Sequence, residues 1–362
     1  MNKQVYIFSP DWLKIQQYLV EHFYHKKQYF NCAPTTYKNH ENKNLSVSLN
    51  LLKLRNAISE TEKKQKSKTD LIIFCPVDDW FLPNTKKFFI EKLLPAKWTG
   101  IYLNLSDYYS NKLTLNVDPK PGEPDYFFSA RNCIGVVLLD RFMAKEVQSR
   151  VYKKVVVFPD ISLRNNVGSN KIIEQIKQLA KGRMIVGMIL LENENLEPFL
   201  QTALHAETDK FFFVCAGKIE PELLNKKEKK LLSQLLQKGY NNNYFILNDF
   251  DDDDEVATYI KSFDILFLID GNYMQPHPLL TKAAILKKPV IASNKDVIGK
   301  LVSTFKLGVS VGSQYADCIH ALNMLRLQMP FEQNFDLEKL NLYAQLQSNS
   351  ILEESLEQIL LF

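Results

Sequence analysis

The chain has 362 residues, of which 46% are hydrophobic and 24% charged, and its formal net charge is +4. This composition is typical of a soluble globular protein, and the length favours two domains over one. No apolar run approaches the ~20 residues that a membrane-spanning helix needs, and the first residues contain no signal-peptide core. Five cysteines without metal or redox spacing indicate free thiols in a reducing compartment, so we expect a cytoplasmic protein.

The basic and acidic residues are unevenly divided along the chain. Residues 1–164 hold about 25 Lys and Arg against 16 Asp and Glu, whereas residues 165–362 hold about 20 against 25. A basic first half favours an anionic partner, such as the inner face of a membrane or a phosphorylated acceptor. The alternative is a solvated helix end, because much of the excess lies in residues 63–68.

In the first half of the chain, short apolar runs alternate with helix-period segments, which is typical of doubly wound α/β domains. Strands are predicted at residues 5–8, 71–74, 100–105, 134–139 and 155–158. Because these runs are almost continuously apolar, they predict a parallel sheet that is covered on both faces. Residues 163–170 are polar, rich in turn formers and without periodicity, and they form the predicted linker.

A second series of strands follows the linker, at residues 184–190, 211–215, 244–247, 265–269, 289–292 and 307–311. Residues 351–362 repeat apolar side chains at helical spacing. We therefore predict a Rossmann-like domain at 1–164, a second one at 165–335, and C-terminal helices at 336–362, the last of which returns to the first domain. No phosphate-loop sequence and no nucleic-acid-binding pattern is present, so we expect no nucleic-acid partner.

Acidic residues follow two predicted strands of the first domain, at the ends where an α/β cleft opens. Asp78 and Asp79 come after the strand at 71–74, and Asp107 follows the strand at 100–105. Such residues serve either as acid–base groups or as caps and turn formers. The acidic run at 249–255 precedes a predicted helix at 256–262 and lacks the spaced ligands of a calcium loop, so we expect no metal there.

The most informative segment is residues 276–293. His277 and Pro278 begin an amphipathic helix, a basic turn follows, and an apolar strand ends at Ser293. The N-terminus of such a helix offers unpaired N–H groups to an anion, and the strand ends at a crevice. Lys218, which follows Gly217 at a strand end, is a further candidate for contact with an anion.

This segment resembles the donor site of the GT-B-fold glycosyltransferases of the retaining family 4 type, in which Gly-Lys-Pro-Val-Ile-Ala-Ser follows a Glu-containing helix. The corresponding run here is Lys288-Pro289-Val290-Ile291-Ala292-Ser293. Residues 154–161, 186–189, 214–217 and 263–269 are similar to further family segments in the same order. The resemblance, over about residues 130–362, implies a GT-B-like α/β fold of two doubly wound Rossmann-type domains that face each other across a cleft.

The chain departs from this family where the donor binds. Aligned on that run, the two donor-binding Glu of the family fall on Met274 and Lys282, and its first-domain His falls on Ser106. The diphosphate-binding Arg and Lys fall near Met188 and within residues 192–195, which carry acids. The glycine-rich loop near the first strand is replaced by residues 9–12.

The resemblance nevertheless implies a set of site residues, in which Lys282, His277 and Lys218 replace the lost cations. The expected donor-binding residues are Gly187, Gly217, Lys218, His277, Pro278, Leu279, Thr281 and Lys282. Asp107 and Ser106 are the expected catalytic residues. No cofactor or metal is expected beside the nucleotide-sugar, which is a substrate.

The resemblance implies a divergent glycosyltransferase, of hexosyltransferase type, that transfers a sugar from a nucleotide-sugar to a glycan or lipid-linked acceptor in cell-surface polysaccharide biosynthesis. The first alternative is a catalytically degenerate GT-B protein that acts as a binding or scaffold partner, because the replaced residues are those that hold the donor. The second is a nucleotide-sugar epimerase, which needs several carboxylates and a His around the sugar.

Overall fold

The computed structural model describes residues 5–9, 13, 15–17, 30–34, 43–94, 96–115, 117–161, 171–191, 195–237, 241–250, 253–269, 277–328 and 336–361. The chain divides into two compact units, Met1–Val157 with Ile359–Phe362, and Phe158–Gln358. The linker predicted at 163–170 and the domain boundary at 164 lie outside the described residues.

The described strands of the first unit pair in parallel, as the apolar runs predicted. The pairs are β1 (Val5–Ser9) with β2 (Phe30–Pro34), β3 (Leu71–Phe74) with β4 (Lys97–Gly100), and β5 (Gly135–Leu138) with β6 (Lys154–Val157). Single parallel bridges from Trp98 to Cys133 and from Ile101 to Val137 place β4 beside β5. The sequence did not predict β2, because its five residues include Asn and Pro rather than a continuous apolar run.

The helices of the first unit cover a core that is rich in aromatic rings. They are Lys43–Gln65, Lys87–Leu93, Ser106–Tyr109 and Ala144–Val151, with short 3-10 turns at Tyr126–Ser129 and Arg141–Met143. Trp98 is fully buried, and its ring centroid lies 5.0 Å from that of Phe81 and 5.8 Å from that of Phe74. Aromatic pairs at these distances contribute beyond the area that they bury.

The strand predicted at 100–105 is wrong in its bounds, because β4 ends at Gly100. The backbone N–H groups of Leu103 and Asn104 donate to the Asp78 carboxylate, at 2.7 and 3.3 Å, instead of to a neighbouring strand. Burial raises the pKa of the Asp78 carboxyl, and these backbone donors oppose that rise. Asp78 therefore fixes the turn that leaves the sheet.

The second unit contains a six-stranded parallel sheet in the order β9-β8-β7-β10-β11-β12. All six strands were predicted, and they are β7 (Met184–Leu190), β8 (Phe211–Gly217), β9 (Asn243–Ile246), β10 (Ile265–Leu268), β11 (Val290–Ser293) and β12 (Gly308–Val311). The direction of strand progression reverses between β7 and β10. This is the Rossmann order, in which ligands bind beyond the carboxyl ends of the strands.

Helices alternate with these strands, and two further described helices follow the one after β12, the first of which packs on the helices Pro278–Ile285 and Asp296–Phe305. The helices are Lys171–Ala180, Glu197–His205, Lys226–Gln237, Asp253–Ser262, Pro278–Ile285, Asp296–Phe305, Tyr315–Leu327, Leu337–Leu346 and Asn349–Leu360. Phe199 packs edge-on against Phe213 and Phe267, at 5.6 and 5.4 Å between ring centroids. In the part of the chain that the structure describes, no helix has both the length and the apolar character needed to cross a membrane.

Candidate functional site

A cavity of about 920 Å³ lies in the second unit, beyond the carboxyl ends of β7, β8 and β9. Its apolar lining includes Leu190, Leu196, Ile219, Leu224 and Phe250. About half of the lining residues are polar or charged, and the volume of the cavity lies in the range of small-molecule sites.

Two glycines expected to contact a donor lie in the strands that lead to this cavity. Gly217 ends β8 with φ +129°, and a Cβ atom there would lie 2.4 Å from the carbonyl oxygen of Leu190. Only glycine adopts this conformation without strain, so Gly217 lets the ends of β7 and β8 approach each other at the cavity. Gly187 lies inside β7, where a Cβ atom would lie 2.0 Å from the ring of Phe263, and the space above it is taken by that ring.

Asn225 and Glu228, which line the cavity, organise its edge through a capping box. The Asn225 side chain accepts the N–H groups of Lys227 and Glu228, and Glu228 Oε2 accepts the N–H of Asn225 at 2.9 Å. Glu228 Oε1 also accepts the N–H of Leu196, which lies on the opposite edge, at 3.0 Å. Neither residue was predicted from the sequence, although an Asn followed three positions later by Glu is a recognisable helix-start signal.

The cavity wall is acidic among the described residues. The carboxylates are Glu197, Glu220, Glu228, Asp249 and Asp253, and the cation is Lys218. Lys218 Nζ lies 2.7 Å from Glu220, and this hydrogen bond raises the pKa of Lys218. Carboxylates only accept hydrogen bonds, so this wall suits a ligand that carries hydroxyl groups.

The unpaired N–H groups that we expected at the start of the helix Pro278–Ile285 are occupied in the described residues. His277 caps this helix, because its Nδ1 accepts the N–H of Leu279 at 3.1 Å. The carbonyl oxygen of His277 accepts the N–H of Leu280, and Pro278 has no N–H to offer. In this geometry Nδ1 of His277 acts as a hydrogen-bond acceptor toward the backbone and is not available as a donor to an anion.

Thr281, another expected donor-binding residue, is fully buried in a polar cluster of the second unit. Its hydroxyl donates to Asp160 Oδ2 at 2.9 Å, and the backbone N–H of Asp160 donates to Gln347 Oε1 at 2.7 Å. Burial raises the pKa of the Asp160 carboxyl, while the hydrogen bond from Thr281 and the charge of Lys282 oppose that rise. Thr281 therefore has a partner inside the protein.

Lys282 is the buried cation of this cluster, with only 6% of its side chain exposed. Its Nζ lies 2.8 Å from Oδ2 of Asp253, a carboxylate that is 62% exposed and lines the cavity. A buried ammonium group needs such a partner, because its desolvation is otherwise uncompensated. Lys282 thus does not project freely toward a ligand, and instead holds an acidic side chain at the cavity wall.

The expected catalytic residues lie in the first unit, in the first turn of the helix Ser106–Tyr109. The Ser106 hydroxyl donates to the side-chain oxygen of Asn104 at 2.9 Å, and the Asp107 carboxylate lies 3.6 Å from Lys112 Nζ. Both interactions are local and partly exposed to solvent. A catalytic role for these residues stays a prediction.

Some positions at which the family binds its donor lie outside the described residues, namely Met274 and residues 192–194. Asp253 and the two acids after it occupy the first turn of the helix Asp253–Ser262, which begins three residues earlier than predicted. Acids at that end are favoured by the helix dipole. Within the described ranges, no group of three or more His, Cys, Asp and Glu is arranged to hold a metal ion.

No protein-family model matches the sequence, and no curated protein matches it either. Solved structures do match the fold over nearly the whole chain. Sucrose-phosphate synthase from Thermosynechococcus elongatus has a TM-score of 0.61 and 12% identity, covering 99% of this chain and 98% of that one. Anabaena Alr3699/HepE in complex with UDP has a TM-score of 0.61 and 11% identity, covering 99% of both chains.

A putative UDP-N-acetylglucosamine 2-epimerase from Listeria monocytogenes is also similar, with a TM-score of 0.53 and 10% identity, covering 93% of this chain and 94% of that one. Likenesses at such low identity establish the fold alone. The chain therefore has the GT-B fold, with its parallel α/β sheets, as the resemblance implied. The solved structures that are similar to this chain include glycosyltransferases.

Proposed function

We propose that the protein is a divergent glycosyltransferase, of hexosyltransferase type, that binds a nucleotide-sugar in the cavity of the second unit. The observation that carries this proposal is the position of that cavity, at the carboxyl ends of β7, β8 and β9 in a Rossmann-order sheet. A protein with the same fold, Anabaena Alr3699/HepE, has been solved in complex with UDP and with UDP-glucose. The acceptor that we propose is a glycan or a lipid-linked glycan.

The side chains of the cavity fit the parts of such a donor. The ring of Phe250 and the neighbouring leucines offer an apolar wall to a base, and Asp253 offers a carboxylate to vicinal hydroxyl groups. Lys282 holds that carboxylate in place, which lowers the entropy that is lost when a ligand binds.

The diphosphate needs a cation, and Lys218 is the candidate in the described cavity wall. Its present partner, Glu220, is about half exposed, so solvent screens this ion pair and leaves it weak. Exchange of Glu220 for a phosphate oxygen therefore costs little. Ser106 and Asp107 remain the proposed groups for orienting or deprotonating the acceptor, and we propose that the first unit contacts an anionic membrane surface.

The first experiment is a thermal-shift titration of the purified chain with UDP, UDP-glucose and the corresponding GDP, ADP and CMP compounds. A ligand at 100 times its dissociation constant stabilises the folded state by about 2.7 kcal/mol, which raises the midpoint of a unit of this size by roughly 5–10 °C. A hydrogen bond to a charged group is worth about 1.5–3 kcal/mol. Asp253→Asn is therefore expected to weaken the binding of whichever nucleotide gives a thermal shift by roughly 10- to 100-fold.

Asp209→Asn is the matched control, because Asp209 is an exposed acid of the second unit that does not line the cavity. We expect it to leave the titration unchanged. No shift with any nucleotide at millimolar concentration would favour the scaffold alternative, in which the acid-lined cavity no longer binds a donor.

The epimerase remains the second candidate function, because a putative epimerase is among the similar structures. Incubation with UDP-N-acetylglucosamine separates the two reactions. A transferase or its donor hydrolysis releases UDP, whereas an epimerase changes the proton NMR couplings of the sugar and leaves UDP attached.

A further inference from the structure

The surface of the first unit contains two adjacent exposed phenylalanines within a basic stretch. The helix Lys87–Leu93 rests on the core through Ile90 and Leu93. Its first turn, by contrast, faces solvent, with Phe88 62% and Phe89 47% exposed. Burying such rings against an apolar phase is favourable, so this turn is a candidate interaction surface.

The charged residues around these rings are almost all basic. Lys86 and Lys87 precede them and Lys92 follows, and all three are exposed. Lys92 Nζ lies 5.9 Å from the centroid of the Phe88 ring. Residues 84–97 contain one acid, Glu91, whose carboxylate accepts the backbone N–H of Arg131 at 2.9 Å. We call Lys86, Lys87, Phe88, Phe89 and Lys92 the basic-aromatic patch.

The neighbouring helix Lys43–Gln65 extends the same kind of surface. Arg55 donates from Nη1 to the carbonyl oxygen of Lys92 at 3.0 Å, which joins the end of one helix to the side of the other. Leu49, Leu52 and Lys53 are exposed, and they share a helix face because they lie three and four residues apart. This helix face, like the patch, therefore combines exposed apolar side chains with an exposed lysine.

We propose that the basic-aromatic patch docks the first unit on an anionic lipid bilayer. Lysines that flank aromatic side chains on a helix surface are suited to lie at the headgroup level, with the rings in the acyl boundary and the ammonium groups among the phosphates. The two phenylalanines indicate a bilayer as the partner. A free phosphate or a phosphorylated sugar could pair with the lysines but has no apolar part against which the rings could be buried. The patch is the specific surface of the membrane contact proposed above for the first unit, and its docking does not require that the second unit binds a nucleotide-sugar.

The test is co-sedimentation of the full chain with vesicles of phosphatidylcholine alone and with a two-to-one mixture of phosphatidylcholine and phosphatidylglycerol. The chain is expected to sediment with the mixed vesicles at low ionic strength, and less so as salt screens the lysines. Each lysine near an anionic surface contributes about 1 kcal/mol, so Lys86→Gln with Lys87→Gln is expected to lower the partition coefficient roughly 30-fold. Phe88→Ser with Phe89→Ser is expected to lower it at least about tenfold.

The matched control is Lys229→Gln with Lys230→Gln, an exposed lysine pair on the helix Lys226–Gln237 of the second unit. It removes the same charge from the protein and is expected to leave partitioning within about twofold of the unchanged chain. All these side chains are exposed, so the unfolding midpoints of the variants are expected to match. In a separate variant, Phe88→Trp, the fluorescence of the new indole is expected to shift to the blue on mixed vesicles.

Absence of binding to mixed vesicles, equal binding to pure phosphatidylcholine, or an equal loss in the control pair would each overturn the proposal. Sedimentation velocity tests the alternative that a second copy of this chain binds the patch. If the Phe88 and Phe89 variant dissociates an oligomer while the unchanged chain ignores vesicles, the patch is an interface between copies of this chain. The nucleotide titration is measured without vesicles, so a negative result with vesicles does not contradict the proposed binding of a nucleotide-sugar.

Discussion

Replacing Lys282 with Met tests whether the buried ammonium group holds Asp253 and offsets the burial of Asp160. Met has nearly the same length as Lys and lacks its charge, so the substitution removes the 2.8 Å pair with Asp253 with little change in volume. It also removes the positive charge that opposes the rise in the pKa of Asp160.

The magnitude follows from the exposure of the partners. Breaking a fully buried pair costs about 3–5 kcal/mol, and losing an exposed pair costs ~0–1 kcal/mol. Here Lys282 is buried and Asp253 is 62% exposed, so we expect Lys282→Met to lower the free energy of unfolding by about 2 kcal/mol. For a unit of about 200 residues this lowers the midpoint of thermal unfolding by roughly 4–8 °C.

The effect of this substitution should depend on pH with a definite sign. Because the folded-state pKa of Asp160 is raised, the folded protein holds that proton more tightly than the unfolded chain. The resulting destabilisation is fully present above the folded pKa and disappears as the pH falls below the unfolded value of about 3.9. Loss of Lys282 raises the pKa of Asp160 further, so the deficit of the variant should be largest near neutral pH and shrink under acid conditions.

Urea unfolding of the variant and of the unchanged chain, at neutral pH and at about pH 4, measures both quantities. Lys230→Met, at an exposed helix position, is the control, and Asp253→Asn in the Lys282→Met background measures the coupling of the pair. The reasoning is refuted if Lys282→Met costs no more than Lys230→Met, or if its deficit stays constant with pH.

Two further predictions concern residues whose surroundings are well defined. Gly217→Ala is expected to destabilise the second unit by about 1–3 kcal/mol, because its Cβ would meet the carbonyl oxygen of Leu190 at a positive φ, and thermal unfolding measures this cost. A loss of stability no larger than that of a substitution at an exposed position would contradict the close approach of Gly217 to Leu190. Arg150→Met is expected to cost about 3–5 kcal/mol, since it leaves the buried Asp125 without the guanidinium group whose Nε lies 2.7 Å away. Arg150 also donates from Nη2 to Asp125 Oδ1 at 3.4 Å, so Arg150→Lys should restore only part of the loss in chemical unfolding, and equal stability of the two variants would argue against this two-point contact.

The sequence alone determined the type and order of the elements in the second unit. Strands β7 and β8 are buried along their whole length, so they had to be continuous apolar runs, and such runs are visible without knowing their neighbours. The prediction failed where backbone groups found partners other than a strand. The run at residues 100–105 is apolar enough to predict a strand, but the Asp78 carboxylate accepts the N–H groups of Leu103 and Asn104.

Tertiary structure decided the chemistry of the candidate site. The sequence marks Lys282 and His277 as polar residues near a helix start, and a free cation there is the simplest interpretation. The fold gives both residues partners within the protein, since Lys282 pairs with Asp253 from another helix, 29 residues earlier in the chain, and Nδ1 of His277 accepts the N–H of Leu279. Charge and hydrogen bonding depend on which groups the fold brings within about 3 Å, whereas periodicity reports only which face of an element is buried.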